Sequence, residues 1–350
     1  MFSTPPKSLC ILRLSAIGDV CNTIAAVQAI QTHWPDTKIT WITGKVEAQL
    51  LAAIDNVEII TFDKKAGWKG YQALWKQLKG RHFDALLHMQ YALRASIASL
   101  GIKAKFKLGF SPERSQDFQT LFTNVKVPSP DSLHVADGLM AFAYTLGVPK
   151  TLTPQWNLTY PQEDQQWALT HLNPQSRNLV IVPGASKAYK NWHAQGYVDV
   201  IKHMRTKGWH IILAGSPANV ERQLADDIQQ LLETPCVNLV GKSSMLQMLA
   251  LLDHVDLVLC PDTGPAHMAS AMQTPVVVLC AHHNPERVGP YHYRDSVVSV
   301  YEQQIHLQTG KSVDELDWRE RVQNPKAMEM ITAEHVTQAL DNVVNNRLNT

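Results

Sequence analysis

Residues 256–280, DLVLCPDTGPAHMASAMQTPVVVLC, set an apolar strand, a polar turn, a small-residue helix and a second apolar strand end to end. Leu257 to Cys260 is a continuous apolar run, the pattern of a strand covered on both faces, which confines this part of the chain to a parallel sheet flanked by helices. Gly264 lets backbone approach a ligand closely or take a positive φ, and Pro265 fits the first helical turn, where no N–H is needed. The N–H groups of that turn face whatever lies beyond the strand's carboxyl end, a place suited to phosphate. Asp262 and Thr263 stand at its mouth, each read as a helix cap or as a ligand contact.

A matching turn follows the first apolar run of the chain. Leu9 to Leu14 reads as a buried strand, Ser15 to Gly18 as a tight turn and Val20 to Ile30 as a helix. Asp19 then falls at or just inside a helix N-terminus, where the helix dipole favours a carboxylate. It is a capping charge or a general base. A third turn, VPGASKAYKNWH at 182–193, ends a strand at Pro183 and Gly184 and carries Ser186, Lys187, Lys190 and Trp192 toward a helix over 194–206. Its lysines neutralise a diphosphate as compact charges, or are solvated.

The pattern occurs twice. ILRL, KITWIT, VEIITF, DALLHM and KFKLGF alternate with helical segments, and after a proline-rich passage LVIVPG, WHIILAG, VNLV, DLVLC and VVVLC do so again. This predicts an α/β protein of two doubly wound, Rossmann-like domains over 1–150 and 175–330, with a final helix within 331–350 capped by Thr332. At 350 residues and 45% hydrophobic the chain can bury two such cores. Ligands in open sheets of this kind bind beyond the carboxyl ends of the strands, so the expected site is a central cleft faced by both domains, approached by Asp19 from one side and Asp262 from the other.

Composition and motifs exclude several functions. A net charge of +1 carries no global nucleic-acid footprint. No apolar stretch approaches the roughly twenty residues that span a bilayer, and MFSTPPKSLC lacks the basic and apolar regions of a signal peptide, so a cytoplasmic protein is expected. Cys10, Cys21, Cys236, Cys260 and Cys280 form no CxxC pair and read as small buried thiols. There is no GxGxxG after the first strand, Gly241-Lys242-Ser243 lacks the glycine of a P-loop five residues earlier, and neither HExxH nor an Asp-x-Asp pair occurs, so no metal site is expected. His282, His283 and His292 read as surface or loop histidines. Between Lys64 and Lys107, ten Lys or Arg stand against the single acid Asp84 and are interleaved with Trp68, Tyr71 and Trp75, either a solvated face or a surface for an anionic partner.

Leu12-Arg13-Leu14-Ser15-Ala16-Ile17-Gly18-Asp19, the loop from Pro183-Gly184-Ala185-Ser186 to Lys190-Asn191-Trp192, and Asp262-Thr263-Gly264-Pro265-Ala266-His267 together resemble three signatures of the ADP-heptose:lipopolysaccharide heptosyltransferase family, glycosyltransferase family 9. That resemblance implies a GT-B fold and inverting transfer of heptose from ADP-heptose, or a related nucleotide sugar, to the Kdo/heptose inner core of lipopolysaccharide, with no metal or cofactor. By carry-over Asp19 is the base, Ser186, Lys190, Thr263 and Gly264 hold the diphosphate, Asp262 binds donor-sugar hydroxyls and His267 supports the turn. The basic face would receive an anionic Kdo-lipid A acceptor at the inner leaflet, making the protein peripheral on the inner membrane. Two stretches depart from the family pattern. Ala214 to Ala218 lacks a ribose-binding acid, for which Glu221 is the substitute, and Ala281-His282-His283-Asn284-Pro285 replaces the usual Gly-Pro-Thr-Asp-Pro. A transferase for another nucleotide sugar, an epimerase or hydrolase on the same frame, and a two-lobed binding protein are the competing readings.

Overall fold

The alternation of apolar runs and helices comes out as two parallel sheets of six strands each. The computed structural model describes residues 1–349, and the chain divides into a first unit, Met1–Thr159, and a second from Tyr160 onward. In the first unit the strands are β1 (Ser8–Leu12), β2 (Lys38–Thr43), β3 (Val57–Thr61), β4 (Phe83–His88), β5 (Ala104–Phe110) and β6 (Val125–Val127), in the order β3-β2-β1-β4-β5-β6. The second unit holds β7 (Asn178–Ile181), β8 (His210–Leu213), β9 (Val237–Asn238), β10 (Leu257–Pro261), β11 (Val276–Cys280) and β12 (Val297–Ser299), ordered β12-β11-β10-β7-β8-β9. Counted within each unit, the two orders are the same. All the pairings are parallel, as expected of strands joined by helical crossovers.

The central strands read as near-continuous apolar runs because both faces are covered. Val276 to Cys280 and Leu257 to Pro261 are buried throughout. Two strands escape a reading of the sequence: β6 and β12 have three residues each, too short for a periodic signal, and both lie at a sheet edge. β1 also stops sooner than its apolar run, at Leu12, which frees Arg13 and Leu14 for other partners.

In the first unit the helix Ile17–His33, whose Ala25, Ala26 and Ala29 are buried, packs on the helix Val135–Leu146. The Trp156 indole donates to Cys21 O at 2.7 Å, tying the end of the unit to that helix. In the second unit the helix Ala333–Val343, capped where Thr332 Oγ1 accepts from His335 N at 3.2 Å, packs on the helix Ala194–Thr206 and on β11. Its buried Val336, Leu340 and Val343 contribute roughly 1.5–3 kcal/mol each. All five cysteines are buried free thiols, and burial pushes Cys21 up to about 12. Among the described residues no helix is long and apolar enough to cross a membrane.

Candidate functional site

Strand order reverses between β1 and β4 in the first unit and between β7 and β10 in the second. At such a switch point the loops after the two strands run in opposite directions and leave room beyond the strand ends. The sequence-predicted residues fall there: Asp19 after β1, Ser186 and Lys190 after β7, and Asp262 to His267 after β10.

The turn after β7 is held by its own side chains. Tyr197 Oη donates to Pro183 O at 3.0 Å, Ala185 N donates to Asn191 Oδ1 at 2.7 Å, and the buried Trp192 indole donates to Ile331 O at 2.9 Å. A Cβ on Gly184 would stand 2.5 Å from Glu221 Cγ, so only glycine fits where this turn meets the helix Asn219–Leu231. The 3₁₀ turn Ala188–Lys190 then delivers Lys190 across the switch point. Its Nζ donates to Asp262 Oδ2 at 2.7 Å and to Asp262 O at 3.2 Å. His283 Nδ1 lies 2.8 Å from the same carboxylate oxygen, so that nitrogen carries the proton and donates. Burial alone would raise the Asp262 carboxyl, but the Lys190 charge and the His283 hydrogen bond outweigh it and hold it well below the usual carboxylate range. Two of the three ammonium N–H groups of Lys190 are committed to Asp262, leaving one for a ligand.

Asp262 therefore does not cap the helix that follows. Thr263 is the N-cap residue and its side chain makes no cap hydrogen bond, while Gly264 and Pro265 open the helix Gly264–Ala271. Gly264 is not among the glycines with positive φ. His267 is partly buried on the first turn, and Ser186 stays exposed in the preceding loop. Glu221 is 6% exposed, and its two oxygens accept from Ser216 N at 2.8 Å and Ser216 Oγ at 2.6 Å. It braces the turn after β8 rather than presenting an open carboxylate.

In the first unit Asp19 is the third residue of its helix, and Ala16 N donates to its Oδ2 at 3.3 Å, so the capping reading holds in part. The same oxygen pairs with Arg13 Nη2, the guanidinium being buried and the carboxylate 38% exposed. Arg13 is itself fixed by Nη1 donating to Met89 O at 2.5 Å. Gln90 Oε1 accepts from Leu14 N at 2.6 Å, and Ser15 Oγ accepts from Gln90 Nε2 at 3.3 Å and Arg94 Nη2 at 3.2 Å. Beneath them His88 is fully buried, its Nδ1 3.1 Å from Gln119 Nε2 and its Nε2 3.3 Å from Ser96 Oγ, and burial lowers it to about 4.

Arg13, Gln90, Arg94 and His283 are the polar partners that motif reading leaves out. Their signal is positional: Arg13 is a lone cation inside an apolar run, and Gln90 and Arg94 follow the strand that pairs with β1. His283 and His282 are engaged rather than surface residues; His282 Nε2 faces Asn324 O at 3.0 Å, and His292 Nδ1 faces Ser270 O at 2.8 Å.

The basic stretch divides. Arg81 is paired to Glu58 at 2.8 and 2.5 Å, and Lys107 Nζ donates to Ser99 O at 3.0 Å. Lys64, Lys65, Lys69, Lys76 and Lys79 stay exposed on and around the helix Trp68–Gln77, beside the packed rings of Trp68, Tyr71 and Trp75. Among the described residues no group of three His, Cys, Asp or Glu is placed to share a metal ion.

Chemically, the second unit offers a fixed ammonium beside the exposed N–H groups of a helix start, an arrangement that stabilises a phosphate-like anion. The first offers a partly exposed carboxylate whose direction is set by a guanidinium.

The chain is 48% identical over 336 residues to the lipopolysaccharide core heptosyltransferase OpsX of Haemophilus influenzae, covering 96% of each chain. In fold it is similar to the glycosyl transferase family 9 protein of Veillonella parvula, with TM-score 0.80 and 19% identity over 98% of both chains. It is similar also to E. coli heptosyltransferase WaaC with ADP, with TM-score 0.72 and 20% identity over 96% of this chain and 99% of that one. The fold is α/β of the GT-B type, built of two Rossmann-like units. Residues 71–316 match Glycosyltransferase family 9 (heptosyltransferase), and the chain, a glycosyltransferase, belongs to that family.

Proposed function

We propose that this enzyme moves a heptose from ADP-heptose to the Kdo/heptose inner core of lipopolysaccharide, with inversion and without a metal ion. The observation that carries the reading is the Lys190–Asp262–His283 cluster at the start of the helix Gly264–Ala271, which keeps one ammonium N–H and a row of backbone N–H groups for an anion. The likeness to OpsX supports lipopolysaccharide core as the acceptor, and the likeness to a WaaC structure holding ADP supports the nucleotide.

In this reading the second unit holds the donor. Lys190 and the N–H groups from Thr263 and Gly264 meet the diphosphate, with Ser186 reaching it from its exposed loop; Asp262 accepts from a sugar hydroxyl, and His267 backs the turn. Asp19 removes the proton of the acceptor hydroxyl as its oxygen attacks the anomeric carbon. The bond from that carbon to the diphosphate oxygen breaks, its electron pair leaves with ADP, and Lys190 and the helix start take up the growing charge. A single displacement of this kind inverts the anomeric centre. Arg13 aims the Asp19 carboxylate through its own guanidinium. The exposed lysines around the helix Trp68–Gln77 receive the anionic Kdo-lipid A acceptor at the membrane surface, which makes the first unit the acceptor-binding one.

Incubation with ADP-heptose and a Kdo-lipid A acceptor in excess EDTA tests this. Heptose transfer with an inverted anomeric centre, read by NMR of the product, is the expected result. Loss of transfer on chelation, or retention of configuration, overturns the mechanism.

A further inference from the structure

Tyr189 and Lys190 are neighbours in one loop, and His282 and His283 in another. The second member of each pair grips Asp262, while the first lines a hollow of about 180 Å³ completed by Arg321, Val322, Gln323 and Pro325. The hollow thus lies against the donor cradle, within the second unit. Its floor is unusual. His282 is 5% exposed, and its Nε2 is 3.0 Å from Asn324 O, which can only accept, so Nε2 carries the ring proton. Burial lowers the His282 imidazole and keeps it neutral. Its Nδ1 is consequently a bare lone pair, and it has no hydrogen-bond partner although it is sealed from solvent. Val322 N donates to His282 O at 3.1 Å, so the two walls are fixed to each other. Tyr189 stands edge-on to the ring at 4.8 Å and is 36% exposed on a short turn, so its side chain is free to move off it.

We infer that this hollow is a subsite for the two-carbon hydroxylated side arm that distinguishes a heptose from a hexose, with His282 Nδ1 accepting a hydrogen bond from one of its hydroxyls when Tyr189 swings aside. The inference rests on the donor reading above. A bare acceptor calls for a donor, and of the parts of a nucleoside-diphosphate sugar the diphosphate has none. The volume holds a short glycol arm together with water, and the exposed Arg321 and Gln323 at the rim supply donors to a second hydroxyl. A site with a buried acceptor discriminates against a substrate that leaves it unmatched.

The experiment compares kcat/KM for ADP-heptose with that for an ADP-hexose of the same ring configuration, shortened by one carbon, in the wild type, His282→Phe and Gln323→Trp. The second variant fills the hollow from its exposed rim and does not depend on the core tolerating a new ring. The wild type should prefer the heptose donor, and both variants should cut that preference at least tenfold. An unchanged ratio in Gln323→Trp overturns the subsite, and so does an equal fall with both donors. Loss of affinity for ADP alone, by calorimetry, would put the nucleotide in the hollow and overturn it as well. A wild type that transfers neither sugar would instead refute the donor reading itself.

Discussion

One strand order is used twice in this chain, and the two places where it reverses carry opposite electrostatic designs. After β10 the carboxylate is buried, 11% exposed at its side chain, and its partners are an ammonium and an imidazole. After β1 the carboxylate is 38% exposed and the buried group is the guanidinium. Burying an acid demands compensation, which the Lys190 and His283 contacts supply, and the outcome is an anchored anion with a spare N–H beside it. An acid left near solvent keeps access to whatever approaches it. The common topology supplies the space beyond the strands; which member of the ion pair is buried decides whether that space presents an ammonium N–H or a carboxylate.

The sharpest way to break this contrast is Asp19→Ala. Transfer should fall by about 10³-fold while ADP still binds, since general-base removal costs on the order of 10²–10⁴. Rate assays beside calorimetry check it, and retained turnover would remove Asp19 from the chemistry. Acid stability separates the two turns next. Folding lowers His88 from 6.5 to about 4, so the unfolded chain takes up the proton first, and the stability owed to the neutral ring is complete above about pH 6.5 and lost between there and about 4. Asp262 is also lowered, so its contribution is complete above the ordinary carboxylate value near 3.9 and is lost only below it. Hydrogen exchange on β4 should show weakening by up to about 3 kcal/mol over the first window, and His88→Asn should remove that dependence. Lys190→Ala should weaken ADP binding by tenfold or more, because it removes the spare N–H and leaves Asp262 with His283 alone; unchanged affinity would detach the cradle from phosphate. Arg94→Ala, which deletes only the 3.2 Å bond to Ser15, should change kcat by a few-fold at most.

The sheets were legible because their central strands are covered on both faces and so are written as unbroken apolar runs. The helix over 194–206 was equally plain and is found at Ala194–Thr206. Edge strands β6 and β12 were not, since three residues cannot show a period. In the candidate site, motif residues lie in three separate stretches of sequence, and each stretch was readable by its turn chemistry. Their partners were not, because pairing Arg13 with Asp19 requires that β1 end at Leu12, and seating His283 on Asp262 requires that β10 and β11 be neighbours. Glu221, placed by its position as a substitute acid, has its oxygens engaged by Ser216 N and Oγ, contacts that no turn motif announces.

The helix Ala333–Val343 carries Val336, Leu340 and Val343 into the same core as Leu179 and Ile181 of β7. During synthesis the first unit has all of its own strands and its Trp156 clasp once residue 159 emerges, and it can settle while the ribosome is still working. The second unit cannot close its core until residues 333–343 have cleared the exit tunnel. The nascent chain therefore passes through a long interval in which a completed first unit is followed by a second whose core is still open.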